Sequence, residues 1–100
     1  MRNTHRLAVE VFTEEGYWAG HAVGVAGCIT ADTLPGLFAE VEFFKHFCLG
    51  VSRETPVSVE YIAVADQPEI AEELCAAYRE FLAMPEDVRP SPETMTTTAP

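Results

Sequence analysis

Few side chains of this 100-residue chain could do chemistry, and they are scattered along it. His21 stands in a strand-like segment and could be a general base or a ligand, although a lone strand histidine is more often structural. His46 and Cys48 are two apart in a helical pattern, so they point away from each other and form a poor metal pair. Glu10 and Glu60 are too few carboxylates for a metal-dependent nuclease. We expect no metal and no cofactor, and a non-enzymatic role is favoured over a catalytic one.

A second chemical feature is the acidic side of the last predicted helix. Its glutamates are Glu69, Glu72, Glu73 and Glu80. Carboxylates in the opening turns are favoured by the helix dipole, which explains three of them without any partner. Glu69 and Glu73 nevertheless stand four residues apart and repel each other. A basic partner protein would relieve that repulsion, so these four residues are the candidate partner-binding site.

Aromatic residues supply two further candidates. One set could line a small-molecule pocket, as in an accessory enzyme or carrier of a biosynthetic pathway. It comprises Tyr17, Trp18, His21 and Tyr61. The other set, Phe43 and Phe47, lies beside the main apolar stripe of the first predicted helix. Since one helix on one sheet rarely covers so wide an apolar arc, this pair is a candidate surface for self-association into a dimer or higher oligomer, with core packing as the alternative.

The amino-acid composition limits the kinds of protein that this chain could be. Apolar residues make up 48% of the chain, which predicts a folded domain. A net charge of −10 repels phosphate, so we expect no direct binding to nucleic acid. The same charge suits a basic partner, or it serves solubility alone. Three cysteines cannot all pair, and neither a signal-peptide pattern nor a membrane-spanning run is present. These features predict a cytoplasmic protein without a membrane partner.

Alternating apolar residues predict the strands. Residues 6–12 and 17–23 alternate and are joined by a turn short enough for an antiparallel hairpin. Residues 28–30 predict a short third strand. Residues 57–64 alternate again and give the strongest strand signal of the chain.

Two helices are predicted between and after these strands. The first has Asp32 or Thr33 as its N-cap and Gly50 as its stop. Its main apolar stripe is Leu34, Leu37, Phe38, Val41, Phe44 and Cys48. The second follows a capping box of Asp66 and Glu69. The order β-β-β-α-β-α predicts an α+β domain: a small antiparallel sheet with helices packed on one face. We expect this domain to span residues 1–84, and residues 85–100 to be a disordered tail rich in acidic residues, Thr and Pro.

Three short motifs resemble those of the HicB-like antitoxin domain superfamily. They are Tyr17-Trp18-Ala19, Ala26-Gly27-Cys28-Ile29-Thr30 and Asp32-Thr33-Leu34. The strand at residues 57–64 stands where the family has its fourth strand. The resemblance implies a three-stranded meander, a helix and a fourth strand, described as a partial ribonuclease-H-like fold. It further implies an antitoxin-like, non-catalytic binding module for a basic partner such as a HicA-like toxin. Residues 65–100 lack the DNA-binding segment that usually follows this core.

Overall fold

The computed structural model describes residues 5–25 and 27–89, which form four strands and two α-helices. Their bounds are β1 (His5–Glu14), β2 (Tyr17–Ala22), β3 (Ile29–Ala31), α1 (Leu34–Leu49), β4 (Val57–Ala63) and α2 (Ala71–Ala83). Short 3-10 turns at Pro68–Ile70 and Glu86–Val88 flank α2. The predicted α+β class and element order are confirmed, and both helices pack on one face of the sheet.

The four strands form one mixed sheet in the order β3-β2-β1-β4. β2 pairs antiparallel with β1 and β3, as predicted for the hairpin and meander. The prediction of a purely antiparallel sheet is wrong for β4, which runs parallel to β1 with His5 opposite Val57. The reason is the crossover: α1 carries the chain back over the sheet, so the next strand starts at the same end as β3 and β1 and runs in their direction.

Local sequence signals set both ends of α1. Thr33 is the N-cap, and its Oγ1 accepts a hydrogen bond from the Gly36 backbone N–H at 3.1 Å. Gly50 ends the helix with a φ of 67°, a left-handed conformation that glycine adopts without steric cost. His46, in the last turn, donates from Nε2 to the Thr55 carbonyl at 2.8 Å. This hydrogen bond ties the end of α1 to the segment that leads into β4.

The predicted capping box of Asp66 and Glu69 is wrong. α2 begins at Ala71, after the 3-10 turn, and no side chain caps it. Gln67 has a different role at this corner: its Oε1 accepts from the Thr13 N–H, and its Nε2 donates to the Thr13 carbonyl, both at 2.9 Å. The amide therefore satisfies both backbone groups of a β1 residue just beyond the end of the β1–β4 ladder.

Phe38 lies at the centre of the core, with no exposed surface. Its ring centroid is 4.8 Å from that of Tyr61, 5.1 Å from Tyr78 and 5.4 Å from Phe81. These contacts join α1, β4 and α2. On the other side of α1, a Cβ at Gly20 would lie 3.0 Å from Val9 Cγ1, so glycine gives Leu37 and Val9 room to close over β2.

The first residues of the predicted tail pack on the domain. The Arg89 guanidinium lies 5.0 Å from the Phe81 ring centroid, and its Nε donates to the Met84 carbonyl at 3.1 Å. Residues 90–100, which carry the rest of the predicted tail, lie outside the described residues.

Truncating Phe38 should destabilise the fold strongly. We expect Phe38→Ala to lower the free energy of unfolding by about 3–5 kcal/mol, because it removes a buried ring with three aromatic neighbours. Phe47→Ala, the same change on the same helix at a position 83% exposed, should alter it by no more than about 0.5 kcal/mol. Chemical denaturation in dilute solution measures both values. Equal losses in the two variants would contradict the central role of Phe38.

Candidate functional site

An open groove of about 320 Å³ lies between the start of α1 and the outer side of α2. Three carboxylate residues line it, namely Asp32, Glu73 and Glu80. Its apolar lining includes Trp18, Leu34 and Met84. We call this surface the acidic groove. It combines an aromatic ring with several carboxylates, which is the combination that suits a lysine or arginine side chain.

Each element contributes to the acidic groove for a local reason. Glu73 and Glu80 stand seven residues apart, so two helical turns bring them to the same side of α2. Asp32 stands directly before the N-cap of α1. Trp18 is half-buried on the helix-covered face of β2, opposite Ala31 of β3. The groove is therefore assembled from three elements that are distant in sequence.

The acidic groove is not neutralised by the described part of the chain. Across residues 5–25 and 27–89 there is one ion pair, in which Lys45 Nζ lies 2.7 Å from Glu42 Oε1. Neither residue lines the groove. The carboxylates of Asp32, Glu73 and Glu80 therefore form no ion pair among the described residues, and they remain available to a basic ligand.

The four glutamates predicted as the partner-binding site are all exposed. Glu73 and Glu80 line the acidic groove, whereas Glu69 and Glu72 lie outside it, Glu69 in the 3-10 turn before α2. Asp32 was identified from sequence only as a possible helix cap. No spacing signal connects it or Trp18 to α2, because their proximity arises from tertiary packing.

The residues predicted to line a small-molecule pocket do not come together. The strand register places Tyr17 and His21 on the face of the sheet away from the helices, and Trp18 and Tyr61 on the face that the helices cover. The sheet separates the two pairs. The Nδ1 of His21 lies 3.0 Å from the Gly27 carbonyl and donates to it, tying β2 to the loop before β3. That is a structural role.

Tyr61 is instead part of the aromatic core. Its ring centroid is 4.8 Å from that of Tyr78, and its Oη is buried without a hydrogen-bond partner among the described residues. Burial raises the pKa of the Tyr61 phenol, and the nearby Glu42 carboxylate and Tyr78 raise it further. Burial is also the main cause that raises the pKa of Tyr78. Both phenols therefore favour the neutral form in the folded protein.

The aromatic end of α1 is exposed. Phe43 is 47% exposed and Phe47 is 83% exposed, so packing in the core of this chain does not account for Phe47. Phe44, which belongs to the predicted apolar stripe, is 36% exposed, whereas Cys48 of the same stripe is partly buried and packs against the core. An open groove of about 360 Å³ adjoins these rings, and the Arg53 guanidinium lies 5.6 Å from the Phe43 ring centroid. Self-association through Phe43 and Phe47 stays a prediction.

Other chemical features are sparse. Cys28, Cys48 and Cys75 are unpaired thiols. Glu10 and Glu60 lie on adjacent strands but are not directly opposite: Glu10 faces Ile62, and Glu60 faces Ala8. The described ranges contain no group of three His, Cys, Asp or Glu residues arranged to hold a metal ion. Within the same ranges, no helix has the length and apolar character needed to traverse a bilayer.

No protein-family model matches the chain, and no curated protein or solved structure is significantly similar to it. The resemblance to HicB-like domains therefore rests on the short motifs quoted above.

Replacing the buried phenol should stabilise the protein. We expect Tyr61→Phe to raise the free energy of unfolding by about 1 kcal/mol at neutral pH, because it removes a buried hydroxyl that has no partner. The unfolded phenol ionises near pH 10, at about its ordinary pKa, whereas the folded one resists ionisation. Raising the pH above about 10 therefore favours the unfolded wild-type chain. Tyr61→Phe should lose less stability than the wild type above that pH. Denaturation curves measured from neutral pH to above about pH 10 test both effects. A Tyr61→Phe variant less stable than the wild type would contradict the prediction.

A charge on the exposed phenylalanine should weaken self-association. We expect Phe47→Glu to lower the average mass in light scattering, since a carboxylate cannot be buried cheaply between apolar rings. Phe47→Leu, which stays apolar, is the matched control and should keep the wild-type mass. An unchanged mass for Phe47→Glu would show that this surface does not join copies of the chain.

Proposed function

We propose that this chain is a non-catalytic protein-binding module, resembling an antitoxin, that docks on a basic partner protein such as a HicA-like toxin. The acidic groove is the docking site, and a lysine or arginine side chain of the partner enters it beside Trp18. Glu73 and Glu80 would bind that side chain from α2, and Asp32 from the start of α1. Glu69 and Glu72 would extend the same negative surface over the neighbouring part of the partner.

The observation that carries this proposal is a groove lined by Trp18 and by three carboxylate residues that form no ion pair within the described part of the chain. A cation that leaves water gains from the face of the indole and from charge-assisted hydrogen bonds to the carboxylates. The net charge of −10 adds long-range attraction that speeds the encounter with a basic protein. Charge and local geometry therefore favour the same class of partner.

The order of elements supports the antitoxin-like part of the proposal. A three-stranded meander, a helix and a fourth strand is the order that the resemblance to HicB-like domains implies. A module of this kind acts by covering its partner's surface, so it needs no catalytic group of its own. We place its action in the cytoplasm, where three unpaired thiols stay reduced.

The small-molecule alternative receives no comparable support. A small-molecule pocket of the predicted kind requires His21 to lie beside Tyr17, Trp18 and Tyr61. The sheet divides these residues, and the His21 ring is engaged by the Gly27 carbonyl.

Neutralising the groove should weaken partner binding. We expect Glu73→Gln/Glu80→Gln to raise the dissociation constant for a HicA-like toxin about tenfold, as measured by calorimetry, because two charge-assisted contacts are lost. Wild-type binding should also weaken with added salt.

The matched control is Glu14→Gln/Glu54→Gln, which changes the net charge equally at two exposed carboxylates outside the groove. It should bind almost as tightly as the wild type. Equal losses in both double variants would assign the effect to overall charge and reject the groove as the docking site. Absence of any salt-sensitive complex would reject the toxin-binding function itself.

A further inference from the structure

The outer edge of β4 is a strand edge without a neighbour. β4 is the last strand in the sheet order and is seven residues long. The His5 N–H donates to the Pro56 carbonyl at 3.4 Å, and the Val64 N–H donates to the Val11 carbonyl at 3.0 Å. The even-numbered residues of this segment therefore point their backbone groups toward β1. In a parallel ladder the groups alternate, so those of the odd-numbered residues point outward.

Most of these outward groups are unpaired. The Val57 carbonyl accepts from Lys45 Nζ at 3.3 Å, which protects the start of the edge. The N–H and C=O groups of Val59, Tyr61 and Ala63 have no hydrogen-bond partner in the described part of the chain. Exposed edges of this kind are templates for pairing with another strand. Such an edge favours the addition of one more strand beside β4.

An apolar strip of α2 adjoins this edge. Tyr78 packs on Tyr61 of β4, whereas the side of α2 that carries Glu73 faces Trp18 over β2. On the β4 side, helical spacing aligns Ala71, Cys75 and Leu82 with Tyr78. Ala71 and Cys75 are exposed, and Leu82 is 53% exposed. We call these four residues the α2 strip. It contains no charged residue.

We infer that the β4 edge and the α2 strip together form an interface with a second copy of this chain. The two β4 strands pair antiparallel about a two-fold axis at Tyr61. Val59 then lies opposite Ala63 of the second copy, and the outward groups of both strands form six hydrogen bonds. The four-stranded sheet becomes a continuous eight-stranded one, and the two α2 strips meet above the junction.

Side-chain charges favour this register over the one centred on Glu60. With the axis at Tyr61, Glu60 lies opposite Ile62 of the second copy, and Ile62, which is 40% exposed, gains cover. With the axis at Glu60, the two Glu60 carboxylates would be directly opposite each other, which destabilises a strand pair. A two-fold arrangement also closes on itself and leaves no further β4 edge.

The α2 strip identifies the occupant as a second copy. A lone strand from another protein would satisfy the β4 edge but leave the strip uncovered, whereas a second copy brings its own strip to it. A basic partner gains nothing from an uncharged surface. The interface also leaves the acidic groove accessible, so it does not depend on the proposed function.

Removing the other candidate self-association surface isolates this interface. In the Phe47→Glu background, we expect light scattering to give twice the 11.0 kDa of one chain. Adding Ala63→Pro should raise the dimer dissociation constant at least about tenfold, since proline removes an outward N–H and leaves the β1 ladder intact. Ala63→Ser keeps that N–H and should remain dimeric. Circular dichroism checks that each variant is folded.

Cys75 gives a second measurement that does not need the proline variant. In a Cys28→Ser/Cys48→Ala protein, also carrying Phe47→Glu, a short bismaleimide should join two chains through Cys75. Added salt should increase this cross-linking, because it screens the repulsion between two copies of charge −10. A basic partner responds to salt in the opposite direction, so the two associations are distinguishable. A monomeric mass without a Cys75 cross-link overturns the inference, as does a dimer that survives Ala63→Pro and is not cross-linked.

Discussion

The burial of Phe38 is the interaction on which the rest of the structure depends. Its ring touches Tyr61 of β4 and both Tyr78 and Phe81 of α2, so one side chain of α1 holds three elements together. Its position determines where α2 lies, because the helix must present these two aromatic residues to it. With α2 fixed in this way, Glu73 and Glu80 line the groove with Trp18, and Ala71, Cys75 and Leu82 are exposed on the side of the helix that carries Tyr78. The acidic groove and the α2 strip are thus two sides of one packing arrangement.

The surface of the protein is divided by chemical character. Trp18 and three carboxylate residues line a groove on one side of α2, and an uncharged strip with a strand edge lies on the other. Three phenylalanines are exposed toward the end of α1. Each region favours a different kind of contact: a cation, an identical strand and helix, or an apolar surface. The proposed docking site and the inferred interface with a second copy therefore lie on different sides of α2 and do not overlap.

Local signals in the sequence predict most of the elements, and tertiary geometry accounts for what they miss. Thr33 and Gly50 delimit α1 for local reasons. The Thr33 hydroxyl accepts a hydrogen bond from a first-turn backbone N–H, and Gly50 adopts a left-handed backbone conformation without steric cost. The alternation at residues 57–64 predicts β4 but contains nothing about its direction, which the path of α1 determines. Asp66 and Glu69 have the spacing of a capping box. In the structure a 3-10 turn stands at Pro68–Ile70 instead, and the Gln67 side chain before it is hydrogen-bonded to the Thr13 backbone. Glu73 and Glu80 were identified from helical spacing, whereas Asp32 and Trp18 join them only through folding.

The parallel pairing of β1 with β4 also constrains when the domain can form during translation. β1 is translated before α1, and the strand that completes its hydrogen bonding is made only after that helix. Until then the nascent meander has one side of β1 unpaired, next to the same apolar residues that later meet α1. Contacts between residues so distant in sequence form late and slowly. During that interval this edge of β1 is an unpaired strand edge, which is a template for pairing with another strand.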